Sequence, residues 1–415
     1  MTVRVYVTGL GVVSSLGLGR REFWASLLAG RSGTAPVRSF DASSLDRAIA
    51  AEVSQFRAED HLTPRELRDA GRCSAMAIAA ARMAVADAGL SADALRSERA
   101  SVVLGTTMGE ADVLSRLDES WIRKGRDAVD PLDVARNSPS FLPLHVARAL
   151  GCRGSVLTLP AACAAGNYAI GYACDLLRSG RADVVITGAA EMLEGLQYCG
   201  FLRLGALAPE RCQPFDLNRQ GLVVGEGAGV LVLESEAHAV RRGATALAEV
   251  GGCGIACDAY HITRPHPEAT GSTRAMREAI SRSGLNPDEV DFVNAHGTGT
   301  RANDAVETRA MKDVFGGRRV PISSVKSMIG HCMGAASAIE AVSCVETVLT
   351  GIYPPTIGYE TPDPECDLDV VANAPREGRG DVVLNNSLAF GGYDAVVCFA
   401  RVGRLPPPSD REGAR

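Results

Sequence analysis

The sequence predicts an α/β protein in which one order of strands and helices occurs twice. Three observations predict it. Short apolar, β-branched runs alternate with stretches of helical periodicity along most of the 415 residues. From about Ala246 the order of the first half begins again. The third unit of each half reads as a strand, a small-residue loop and a buried helix, with Cys163 at that turn in the first half and residues 326–331 there in the second. The length exceeds a typical single core. The expected division is 1–245, 246–403 and a disordered tail at 404–415, where three prolines precede a charged end.

Strands are expected at 3–8, 100–105, 155–159, 183–187 and 230–233 in the first half. Those of the second half fall at 247–251, 290–294, 320–323, 381–384 and 395–400. Helical spacing marks 21–28, 74–88, the stretch after Cys163 as far as Arg178, 272–283 and 335–349. The glycines at 9 and 11 make a turn and a close packing point. They form no G-x-G-x-x-G frame, which argues against a dinucleotide fold. Glycines also interrupt 225–229, just before the fifth strand.

Cys163 stands where a buried strand turns into a buried helix, among Ala161, Ala162, Ala164, Ala165 and Gly166. The positive end of a helix favours thiolate. On that ground the thiol pKa is expected to fall from about 8.5 toward the ~3.5–7.5 range of reactive cysteines. A packed core cysteine is the alternative reading of the same stretch.

Composition narrows the function. A formal charge of −6 argues against general nucleic-acid binding, and 22% charged with 46% hydrophobic residues is ordinary for a globular protein. No membrane-spanning run and no signal-peptide layout is expected, so the expected location is cytoplasmic. Twelve scattered cysteines without a CxxC pair fit a reducing compartment. Cys253, Cys257 and His261 come closest to a ligand cluster, but their spacing is not that of structural zinc, and no metal is expected.

His296, Lys326, His331 and Phe390 each lie in a Gly/Ser/Thr-rich loop straight after an expected strand, where function is often carried. If the halves are related by a pseudo-twofold axis, these loops converge on Cys163. Four segments carry a resemblance: Ala161-Ala162-Cys163-Ala164-Ala165-Gly166, Asn294-Ala295-His296-Gly297-Thr298-Gly299-Thr300, Ser324-Val325-Lys326-Ser327-Met328-Ile329-Gly330-His331 and Phe390-Gly391-Gly392. In this order and spacing the chain resembles the β-ketoacyl-acyl-carrier-protein synthases of the elongating type, over residues 3–401.

The resemblance implies a thiolase-like, five-layered αβαβα fold and a decarboxylative Claisen condensation. Cys163 would accept an acyl chain from carrier-protein phosphopantetheine. The backbone N–H groups of Cys163 and Phe390 would bind the oxyanion, and Phe390, Gly391 and Gly392 would form a gate. His296 and His331 would stabilise charge on the malonyl thioester, with Lys326 orienting His331 and Glu340 completing the lysine's network. Met108 and Phe201 would bound the acyl pocket, and Thr298, Thr300 and Asp258 would contact substrate. Arg65, Arg68, Arg123, Lys124, Arg126 and Arg203 would form a rim for acidic carrier protein. No cofactor is implied. The family forms dimers, so a homodimer, or a heterodimer with a related subunit, is expected.

Two alternatives belong to the same fold. A chain-length-determining partner subunit lacks the cysteine, and a degradative thiolase uses a second cysteine where this chain has Phe390-Gly391-Gly392. The gate also departs from the usual glycine-phenylalanine-glycine-glycine-threonine-asparagine, reading Ala389-Phe390-Gly391-Gly392-Tyr393-Asp394. Alanine for glycine is expected to restrict the gate, and the departures suggest a synthase of polyketide or specialised fatty-acid metabolism.

Overall fold

The computed structural model describes residues 3–45 and 48–407. The first half supplies β1 (Val5–Ser14), α1 (Arg72–Ala88), β2 (Ala100–Gly105), α2 (Phe141–Leu150), β3 (Val156–Leu159), α3 (Ala165–Arg178), β4 (Val184–Glu191) and β5 (Gly227–Ser235). The second supplies β6 (Ala248–Cys257), α4 (Thr270–Arg282), β7 (Phe292–Asn294), α5 (Arg301–Phe315), β8 (Pro321–Ser323), α6 (Ala336–Thr350), β9 (Val382–Ala389) and β10 (Tyr393–Ala400).

The duplication is visible in the pairing. The first half orders its strands β3-β2-β4-β5-β1 and the second β8-β7-β9-β10-β6, which is the same permutation. Directions match as well: β2 runs parallel to β3 and β4, and β7 parallel to β8 and β9, while β5 and β10 reverse direction in both halves. The halves join where β1 meets β6 over Val5–Val250, Tyr6–Glu249 and Val7–Ala248, so ten core strands form one continuous sheet. Helices α1 and α2 cover the outer face of the first half, α4 and α5 that of the second, and α3 and α6 lie between. This is the αβαβα layering of thiolase-like proteins.

The middle layer is apolar because both its faces are covered. Every residue from Ala336 to Val348 of α6 is buried. Residues 333–350, alone among the described residues, are long and apolar enough to cross a membrane, and 89% of that stretch is buried inside the molecule. Two glycines set how closely the central backbones approach. A Cβ on Gly166 of α3 would lie 2.6 Å from the Ala338 nitrogen, and one on Gly229 of β5 would lie 2.4 Å from the Ala338 carbonyl carbon. β5 begins at Gly227, inside the glycine run expected to precede it.

Each central helix starts from the same strained turn. A 3-10 turn at Ala162–Ala164 leads into α3 with Ala162 at φ 46°, and one at Met333–Ala335 leads into α6 with Met333 at φ 46°. Left-handed backbone at non-glycine residues is uncommon and persists where surrounding packing demands it. The symmetry mate of Cys163 is therefore Gly334, three residues beyond His331. At the other end the chain stays packed farther than expected: Arg404 pairs with Glu289 at 3.0 Å and Leu405 is buried in the second-half core. Residues 408–415 of the expected tail lie outside the described residues.

Candidate active site

The two central turns bring the sequence-predicted residues together. Cys163, His296, His331, Phe390, Phe201, Thr298 and Thr300 all line one cavity of about 510 Å³ that opens to the surface. Cys163 is 8% exposed at its base. Its own backbone N–H and that of Phe390 both point at the sulfur, and Ser387 Oγ donates to the Cys163 carbonyl at 3.1 Å.

The thiol differs from expectation. Burial pushes the Cys163 pKa up to about 11, opposed by the Lys326 charge and the two backbone N–H groups and reinforced by Glu191. The helix start does supply favourable N–H groups, but desolvation outweighs them. Cys163 therefore rests as a neutral thiol.

Both imidazoles are neutral too. Burial, and then the Lys326 charge, hold His296 and His331 well below the ordinary histidine range. Their rings meet edge to face with centroids 5.4 Å apart. The Met333 N–H donates to His331 Nδ1 at 3.1 Å, so the ring proton sits on Nε2. His296 Nδ1 is buried without a hydrogen-bond partner. Lys326 is fully buried and ion-paired to the fully buried Glu340. Burial raises the Glu340 carboxyl, and Lys326 counteracts it.

Phe390 packs against Phe201 with ring centroids 6.0 Å apart, which places the expected gate and pocket wall in contact. Gly391 and Gly392 both have positive φ, 82° and 74°. Ala389 does not need a glycine's freedom: at φ −136° and ψ 158° it is ordinary extended backbone. At these angles the alanine imposes no restriction. Tyr393 instead covers the glycines, since a Cβ on Gly391 would lie 2.8 Å from its ring.

Several expected residues serve elsewhere. Asp258 is not in the cavity wall. Its carboxylate accepts the N–H groups of His266 at 2.8 Å and Gly271 at 3.2 Å and so shapes the loop that brings His261, Thr263 and Arg264 to the cavity. Met108 is partly buried in the first-half core, outside the cavity lining. Of the six expected docking residues, Arg203 ends the helix Gly195–Arg203 that carries Phe201 to the cavity. Arg123 and Arg126 are tied to Glu119 and Asp127 in exposed pairs, each at 3.2 Å. Arg68 donates to the Pro64 carbonyl, Arg65 borders a separate groove, and Lys124 is exposed. The Cys253–Cys257–His261 triplet is not gathered: Cys253 hydrogen-bonds Cys174, and His261 Nδ1 accepts the Thr263 N–H at 3.0 Å. All twelve cysteines are free thiols.

Buried carboxylates that sequence reasoning missed hold the loops that line the cavity. Glu307 accepts the N–H groups of His296 at 2.7 Å and Gly297 at 2.8 Å and an Asn386 amide at 2.6 Å. Glu191 accepts those of Thr107, Met108 and Gly334. Burial pushes each of these two acids up to about 7 against those bonds. Farther out, buried Arg219 pairs with Asp363 and, at 3.6 Å, with Asp304. A signal for Glu307 existed, because Asp304, Glu307, Thr308 and Met311 form one buried stripe at helical spacing on α5.

Comparison with known proteins agrees with this geometry. The family model described as beta-ketoacyl synthase, N-terminal domain, matches residues 2–239, and its C-terminal counterpart matches 247–360. The chain belongs to the β-ketoacyl synthase family. Nodulation protein E of Rhizobium meliloti is 40% identical over 406 residues, 97% of this chain and 100% of that protein. The 3-oxoacyl-(acyl-carrier-protein) synthase 2 of Synechocystis is 38% identical, covering 96% of this chain and 98% of that one. Among solved structures, the ishigamide ketosynthase/chain length factor superposes with a TM-score of 0.94 at 43% identity, covering 97% of this chain and 100% of that one.

Proposed function

We propose that this β-ketoacyl synthase condenses an acyl chain held on Cys163 with malonyl-acyl-carrier protein, extending the chain by two carbons and releasing CO2. The observation that carries the reading is the convergence on one cavity of a buried thiol, two backbone N–H groups aimed at its sulfur and two imidazoles held neutral.

Each stage uses these groups differently. In acylation the thiol sulfur bonds the thioester carbon, and the pantetheine thiolate leaves. The proton moves from Cys163 to the leaving sulfur by way of a neutral imidazole. The Cys163 and Phe390 N–H groups bind the oxyanion, a donor of this kind being worth roughly 10²–10³ in rate. In condensation the malonyl carboxylate leaves as CO2, and negative charge builds on the thioester oxygen. Nε2–H of His331 is a donor for that charge, with His296 beside it. The resulting carbanion attacks the acyl carbon, and Cys163 departs. The Lys326 charge, ion-paired to Glu340, disfavours protonation of both rings. Thr298 and Thr300, with their hydroxyls 2.9 Å apart on the cavity wall, would hold the pantetheine arm. This chemistry takes both substrates from carrier protein and requires no other cofactor.

Arg203, on the helix that carries Phe201 to the cavity, together with Arg65, Arg68, Arg123, Lys124 and Arg126, would supply docking charges for carrier protein. The pairing of subunits follows β3, an edge strand bonded on one side only. A solved relative is described as a type II polyketide-synthase acyl-carrier protein with its ketosynthase, and another as a ketosynthase with its chain length factor. These support carrier protein as substrate donor, a dimeric assembly and a polyketide or specialised fatty-acid product. The presence of Cys163 places this chain on the catalytic side of such a pair. Acyl-carrier protein should add one acyl mass to Cys163 in an intact-protein spectrum. Cys163→Ala should remove the adduct, and an unmodified wild-type chain would overturn the reading.

A further inference from the structure

The loop bearing Phe390 and the loop bearing His261 close over the same cavity, and they are tied to each other. The Asp258 N–H donates to the Gly392 carbonyl at 2.9 Å, and the Gly391 N–H to the Ile262 carbonyl at 2.8 Å. Beside these bonds lie two carboxyl groups. A Cβ on Gly271 would stand 2.2 Å from Asp394 Oδ2 and 2.5 Å from Asp258 Oδ1, so both oxygens crowd one point above the start of α4. Asp394 is 2% exposed, and its Oδ2 has no hydrogen-bond partner. The carboxylate of Asp258 already accepts two backbone N–H groups.

Two carboxylates crowded at one point, Asp394 buried and Asp258 half-buried, cannot both be charged at small cost. We propose that Asp394 retains a proton and donates it to Asp258, latching the 390–392 gate to the 258–271 loop, and that release of this proton to solvent unlatches the cavity mouth. The groups facing Asp394 are Asp258 on the loop, Arg274 on α4, Glu307 on α5 and Tyr168 on α3. Burial first, then Asp258, push its carboxyl up to about 8, with Arg274 opposing and Glu307 adding. The acid is raised, so the latch is intact below that pH and is lost as pH rises through it. An asparagine at this position could not titrate, so the switch depends on the carboxyl of Asp394. The assignment rests on the proposed gating role of Phe390, but its readout does not require condensation.

Amide hydrogen exchange, corrected for intrinsic rate, tests it on the full chain. In the wild type, protection of the Asp258 and Gly391 amides should drop about tenfold between about pH 6.5 and about pH 9. Asp394→Asn should flatten that change. Asp258→Asn removes the like charge and should move the step to lower pH. A wild type without the step, or one matched by both variants, overturns the latch. A step in a chain that never acylates Cys163 upholds the latch while refuting the condensing reading.

Discussion

The Met333 N–H donates to His331 Nδ1 at 3.1 Å, which commits the ring proton of a buried, neutral imidazole to Nε2. Met333 makes this bond from the strained turn that starts α6, the counterpart of the turn that positions Cys163. One duplicated backbone feature thus positions the Cys163 thiol in one half and fixes a tautomer in the other.

A donor that matters when charge builds on the malonyl oxygen should separate the two stages. His331→Ala is expected to lower condensation by roughly 10²–10³ while Cys163 still acylates. Single-turnover kinetics of the two stages check this. Equal losses in both would place His331 in acyl transfer instead.

A neutral resting thiol predicts a rising pH profile. With the Cys163 pKa at about 11, thiolate increases with pH throughout the neutral range. Iodoacetamide alkylation of Cys163 should therefore accelerate about tenfold per unit from about pH 6 to about pH 9. A plateau near neutrality would restore the depressed pKa that the helix start alone suggests.

The Lys326–Glu340 pair is fully buried, so removing one partner strands the other. Lys326→Met should cost about 3–5 kcal/mol of stability, and adding Glu340→Gln should recover part of it. The single variant should also slow alkylation at fixed pH, because the Lys326 charge favours thiolate. Chemical denaturation and alkylation rates measure both.

Ala389 sits in extended backbone, so restoring glycine relieves nothing. Ala389→Gly should leave the acylation rate within about twofold and lower stability by roughly 0.5–1 kcal/mol through added chain entropy. A large gain in acylation would show that the gate visits a conformation in which alanine is strained.

How much the sequence disclosed follows from what kind of information each feature needs. The repeated strand–loop–helix unit was legible because buried strands and a two-sided apolar helix leave a hydrophobic pattern. The shared strand permutation and the β1–β6 seam were not, since pairing partners are chosen by tertiary packing. Cys163 announced itself at a small-residue turn between a buried strand and a buried helix, and His296, Lys326 and His331 as polar residues in Gly/Ser/Thr-rich loops after strands. Asp258 was misplaced because a loop-capping carboxylate and a substrate-binding one look alike in sequence. The thiol's pKa was misjudged because a helix start is visible in sequence, whereas the depth of burial opposing it is not.

The most direct test of the account is a single turnover on acyl-loaded enzyme. Isolated acyl-Cys163 protein, mixed with malonyl-acyl-carrier protein, should lose its acyl mass as CO2 and β-ketoacyl-carrier protein appear in equal amounts. An adduct that persists with no CO2 released, or CO2 released while the acyl group stays on Cys163, would contradict it.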